Sequence, residues 1–196
     1  MMQFDLTKLN LAVERLLDKT QNPRHRYLLE AYSRHRYLEM AGRYPEIFSP
    51  EMTVEHPVYR FSFIGQPPFK LDGRQEVEAL YSAWAETDQC VFYMEDETLA
   101  VSDNMIVSRS VISQQQLGAS IADRGADDPT AMYLAKSNIM MLWPYDDDGR
   151  MIGEDVREYD DTDSAAIRLD PVDVVTVEQA AKILDPLIKP LPRRVN

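Results

Sequence analysis

Apolar residues keep a helical period through the first third of this chain and a strand period through most of the rest. Leu6, Leu9, Val13, Leu16 and Leu17 predict a first helix over residues 6–19 with one apolar stripe. Gln21-Asn22-Pro23 stops it and permits a restart. Residues 24–42 then place Leu28, Ala31, Tyr32, His35, Leu38 and Gly42 on one stripe. Tyr44-Pro45 ends that helix, because a residue before proline is pushed out of the helical region. From there the period falls to two. Val54, His56 and Val58 share one strand face, and Thr53, Glu55 and Tyr59 the other. Pro57 cannot donate to a ladder, so this strand is an edge, a bulge or a broken strand.

Gly65–Pro68 reads as a loop, and Asp72-Gly73 opens a third helix with Val77, Leu80, Tyr81 and Trp84 on one side. Cys90, Phe92 and Met94 alternate with more polar residues, and Met105–Ser113 suits a strand covered on both faces. Gln114–Thr130 is polar and reads as a long mobile excursion, a lid or a disordered segment. Tyr133–Trp143 and Met151–Tyr159 are strands joined by the turn Asp146–Gly149. Thr176-Val177-Glu178-Gln179 is a capping box opening a short helix through Leu184. Three helices, one interposed strand and an antiparallel meander predict an α+β fold, with helices packed on the concave face of a curved antiparallel sheet. Residues 1–163 would form this domain, and 164–196 an extension with a short helix.

The chain has 196 residues, 44% hydrophobic and 28% charged, which suffices for a real core. Net charge is −12, which disfavours nucleic-acid and membrane partners. Cys90 is the lone cysteine, so no internal disulfide forms, and the amphipathic N-terminus lacks the apolar core of a signal peptide. A cytoplasmic protein is expected. Gly-rich phosphate loops, nucleophile elbows and metal-ligand spacings are missing from the sequence, so no cofactor is expected.

Phe48–Pro57 (FSPEMTVEHP), Gly73–Trp84 (GRQEVEALYSAW) and the closing hairpin DDDGRMI…REYDD resemble the nuclear transport factor 2-like superfamily over roughly residues 25–165. Within it the chain is most similar to SnoaL-like proteins and ketosteroid isomerases. The resemblance implies a cone-shaped, cystatin-like fold with an apolar pocket, probed by lyases, isomerases and cyclases as well as by plain binding proteins. It also implies a homodimer through the outer face of the sheet. By the isomerase pattern, His56 stands at the catalytic aspartate, Tyr32 at the oxyanion tyrosine, and Met141 near the second acid. Against limonene-epoxide hydrolase, Glu158 matches a catalytic acid and Arg109 the family arginine, while Val111 replaces the neighbouring aspartate.

His56 is thus the candidate proton carrier at the pocket floor, Tyr32 the group that holds a substrate oxygen, and Glu158 a second acid. For each there is a structural alternative: a core histidine, a buried phenol, a rim carboxylate paired with arginine. His35, Trp84, Phe92, Arg109, Met141 and Trp143 are the candidate substrate contacts. The expected activity is a lyase or isomerase acting on a small apolar carbonyl compound of polyketide, steroid or terpenoid type. The alternative is a non-catalytic binding or assembly module of the same fold.

Overall fold

The structure, a computed structural model, describes residues 5–193, without the side chains of residues 161–163. The N-terminal apolar stripe is split between a 3-10 turn, Leu6–Lys8, and helix α1, Leu11–Leu17. Tertiary bonds hold the break. Buried Asn10 donates its Nδ2 to the carbonyl and hydroxyl of Ser33 at 3.0 and 2.9 Å, and the Leu9 carbonyl accepts from Arg36 Nη2 at 3.0 Å. That carbonyl is therefore satisfied without the next turn of helix.

Helix α2 spans Pro23–Met40, with Pro23 where no amide donor is needed and the Asn22 side chain capping the Arg24 and His25 amides. It stops before Tyr44-Pro45. Gly42 adopts φ +67, and the Arg43 amide closes a Schellman turn onto the Leu38 carbonyl at 2.8 Å. A Cβ on Gly42 would lie 2.7 Å from Val177 Cγ2, so the glycine also admits the C-terminal segment.

Six strands form one open sheet: β1 (Thr53–Ser62), β2 (Phe69–Asp72), β3 (Phe92–Val101), β4 (Met105–Leu117), β5 (Met132–Pro144) and β6 (Met151–Arg168). Their order is β2-β1-β6-β5-β4-β3, with helix α3 (Arg74–Glu86) connecting β2 to β3. Neighbours are antiparallel except β1 and β6, which run parallel. The sheet is mixed because β1 enters before the meander and is not bound by the hairpins that fix its directions. Tyr59 and Phe61 of β1, Ile139, Met141 and Trp143 of β5 and Val156 of β6 meet Leu28, Tyr32 and Tyr81 of α2 and α3 in the main core. The α+β class and the helix-covered curved sheet are as expected.

Two connections differ from expectation. The segment 114–130 is packed: β4 absorbs its start, and Gly118–Arg124 folds as a 3-10 turn with Ile121 buried. Gln89 Oε1 anchors it by accepting from the Leu117 amide at 2.9 Å and the Ser120 hydroxyl at 3.3 Å. Strand β6 runs on to Arg168, pairing Ala165–Arg168 with Tyr133–Lys136, so the boundary expected at 163/164 falls inside a strand. Ser164-Ala165-Ala166 has no apolar period of its own; pairing with β5 decides its conformation. Beyond it, helix α4 (Val177–Leu184) seats Ala180 and Leu184 against Leu6, Leu9, Tyr37 and Met40.

Leu184 is fully buried in that cluster. Leu184→Ala should therefore cost about 2–4 kcal/mol of unfolding free energy in urea titration. A loss below about 0.5 kcal/mol, the scale of surface changes, would show that α4 is not part of the folded body.

Candidate functional site

The hollow between the sheet and helices α2 and α3 encloses about 280 Å³. Its walls follow from strand alternation: Tyr59 and Phe61 come from β1, with Phe63 just past its end, Glu154 and Val156 from β6, and Ile139, Met141 and Trp143 from β5. Leu80, Tyr81 and Trp84 of α3 close it on one side, and Arg36 and Glu39 of α2 reach it on another. Ser120, Ile121 and Arg124, with Gln66, border its more exposed end.

The buried end carries the chemistry. On α2, Glu39 lies one turn after His35, and on β6 Glu154 is in register with Tyr59 of β1. Gly153 permits that register, since a Cβ there would stand 1.9 Å from the Val58 carbonyl oxygen. His35 Nε2 is 3.0 Å from the Tyr81 hydroxyl and 3.8 Å from Glu39 Oε2. Burial raises Glu39 to about 8, against a smaller opposing pull from Arg36. Burial, reinforced by the Glu39 charge, holds Glu154 well above the usual carboxylate range. Among the described residues no hydrogen bond or ion pair reaches the Glu154 carboxyl, although the residue is only 7% exposed. Burial and the Arg36 guanidinium push His35 down to about 3, so its imidazole is neutral. The Tyr59 and Tyr81 hydroxyls stay protonated, raised chiefly by burial.

Both arginines at the cavity are already paired. Arg36 meets Glu97 at 2.9 Å, with both side chains nearly fully buried. Glu97 is aimed there by a bulge: β3 places three residues from Glu95 to Thr98 where β4 advances two, and Asp96 sits at φ 51. Arg124 bonds Glu158 at 2.8 Å and the Ser137 hydroxyl at 2.6 Å, and Glu158 also accepts from the Ile64 amide. Among the described residues, no group of three or more His, Cys, Asp or Glu side chains converges as a metal site.

The expected site residues separate into four groups. Trp84, Phe92, Met141 and Trp143 line the cavity. Tyr32 and His35 lie behind its wall: Tyr32 donates to Glu97 at 3.1 Å, and both rings stand edge-on to Trp143. Glu158 is the partner of Arg124 at the outer end. His56 and Arg109 are elsewhere. The His56 side chain is 69% exposed, bonded to Asp72 at 2.8 Å on the outer side of β1, and so is not a pocket floor. Alternation along β1 buries Thr53, Pro57, Tyr59 and Phe61, which leaves His56 on the opposite, outer face. Arg109 is exposed and bonds the Tyr159 hydroxyl at 2.8 Å on the convex face. Glu39, Glu154, Tyr59 and Tyr81 were not singled out from the sequence. Two signals point to them: the aromatic alternation Tyr59-Phe61-Phe63, and the position of Glu39 four residues after His35.

No protein-family model matches the sequence, and no curated protein sequence matches it either. Solved structures do match. A putative SnoaL-like polyketide cyclase from Jannaschia sp. CCS1 superposes with TM-score 0.51 at 14% identity, over 70% of this chain and 89% of that one. Bal32a, from a soil-derived mobile gene cassette, gives TM-score 0.49 at 13% identity over 70% and 92%. An NTF2-like protein from Anabaena variabilis gives 0.45 at 10% over 82% and 97%. These likenesses are of fold alone: the chain folds like the SnoaL-like structure.

A buried acid with a raised pKa makes stability fall as pH rises. The Glu39 contribution is fully present below the ordinary value of 4.5 and is lost as pH climbs through about 8. Glu39→Gln removes that slope, so its unfolding free energy should gain on wild type between pH 5 and pH 8, by about 1.4 kcal/mol per pH unit at most. A gap between the two proteins that does not change with pH contradicts the assigned ionisation.

Proposed function

We propose that this protein is a cofactor-independent lyase or isomerase of SnoaL-like kind, acting by general acid–base catalysis on a small, apolar, carbonyl-bearing molecule. The supporting observation is the carboxyl pair Glu39 and Glu154, beside the hydroxyls of Tyr59 and Tyr81, at the buried end of a largely apolar cavity. The ionised fraction of Glu39 takes a proton from carbon next to the substrate carbonyl, since a base held near 8 is well matched to neutral pH. Glu154, held protonated, donates to the carbonyl oxygen as charge develops there, and Tyr59 steadies the same oxygen. His35 holds the Tyr81 hydroxyl, and the Arg124–Glu158 pair shapes the outer end. Exposed Met140, Tyr159 and Ile167 support a homodimer formed through the convex face, and a single buried cysteine supports a cytoplasmic setting.

A non-catalytic binding module of the same fold is the second reading. It is favoured by the protonated state of both carboxyls at neutral pH, which suits binding without proton abstraction.

Deuterium uptake next to the carbonyl of an alicyclic ketone, followed by proton NMR in deuterated buffer, separates the two. Wild type should catalyse the exchange, faster at pH 8 than at pH 6, and Glu39→Gln or Glu154→Gln should slow it by about 10²–10⁴-fold. His56→Ala should leave the rate within about twofold. Exchange absent in wild type, or lost on replacing His56 and retained in both glutamine variants, would sink the catalytic assignment.

A further inference from the structure

The charges around the buried end of the cavity do not balance. Arg36 is neutralised by Glu97 and Arg124 by Glu158, at 2.9 and 2.8 Å. Around Glu39 stand His35, Arg36, Tyr59, Tyr81, Cys90 and Glu154, and around Glu154 stand Glu39, Asp155, Tyr59, Tyr81, Tyr145 and Arg36. His35 is neutral, and Arg36 is the lone cation in that company, already committed to Glu97. Glu154, nine-tenths buried and lining the cavity, has no partner among the described residues. Among the described residues, this end of the cavity thus has two acids and no free cation to meet them.

Beside these carboxyls stand aromatic faces. Tyr59, Tyr81, Trp84 and Trp143 all border the same space, with Phe61 and Phe92 further along the wall. An ammonium group gains from both features, since it can pair with a desolvated carboxylate and lie against electron-rich rings. A carboxylate ligand would meet two acids, and a neutral ligand would leave both as they are. The net charge of −12 also draws cations toward the molecule.

We infer that the cavity takes an organic cation: an apolar amine whose protonated nitrogen sits between Glu39 and Glu154 and whose hydrocarbon body lies against Phe61, Phe92 and Met141. The inference rests on the reading of Glu39 and Glu154 as the working end of the cavity. It narrows the substrate to a carbonyl compound that also carries a basic nitrogen. On binding, one carboxyl releases its proton to solvent and becomes the counter-ion. The other keeps its proton and remains available as an acid.

Isothermal titration calorimetry with three small probes tests this: 2-phenylethylamine, 2-phenylethanol and phenylacetate, each at pH 7 in two buffers of different ionisation enthalpy. The amine should bind at least about tenfold more tightly than the alcohol, with close to one proton released per amine bound. Phenylacetate should not bind, and Glu39→Gln and Glu154→Gln should each shrink the preference for the amine. Equal binding of alcohol and amine, no amine binding at millimolar concentration, or a preference surviving both substitutions overturns the inference. Its failure is separable from failure of the catalytic reading. Ketone exchange that depends on Glu39 without amine binding removes the cation alone. Amine binding that depends on both acids without exchange removes the chemistry alone.

Discussion

A carboxyl taken out of water with no uncommitted cation beside it loses several kcal/mol of solvation, and it responds by holding its proton. This fold imposes that condition twice in one hollow, at Glu39 and Glu154. The condition depends on the architecture. A sheet curved away from α2 and α3 leaves space that its inward side chains do not fill, and the aromatic pair on β1 with Ile139, Met141 and Trp143 of β5 makes that space poor in water. With a flatter sheet the same two glutamates would reach either solvent or hydrocarbon.

The two arginines matter for what they are kept from doing. An uncommitted guanidinium at the buried end would ionise both acids and end their acid–base capacity near neutral pH. Arg36 is held by Glu97, which the bulge at Asp96 turns inward, and its guanidinium also donates to the Leu9 carbonyl and the Tyr32 hydroxyl. Arg124 is held by Glu158 and Ser137 at the outer end. Replacing one member of a buried pair leaves the other charge stranded, so such devices are costly to alter. Here the ion pairs act as insulation for the acids as much as they act as structural ties.

The fold was legible because its signals are local and periodic. Asn22-Pro23, the capping box at Thr176–Gln179 and the turn at Asp146–Gly149 all act within a few residues of sequence. What escaped sequence reasoning depends on distant partners. The break at Asn10 needs Ser33 and Arg36, the extension of β6 needs β5, and the packing of 118–124 needs Gln89. The site suffered from a single parity error. The two faces of β1 were separated correctly, but the face of His56 was taken as the inner one in place of the face of Tyr59 and Phe61, which turned the strand inside out. The apolar contacts Trp84, Phe92, Met141 and Trp143 were legible because each shares a face with other apolar residues, whereas an inward glutamate interrupts the pattern that would reveal it.

The central claim is that two glutamic acids keep their protons in this cavity at neutral pH. Carbon-13 NMR of protein labelled at the glutamate carboxyl carbons, titrated from pH 4 to pH 10 with Glu39→Gln and Glu154→Gln for assignment, reads it directly. The account predicts that Glu39 titrates near 8 and that Glu154 titrates well above the ordinary carboxylate value. Titration of both groups near the ordinary value of 4.5 would contradict it.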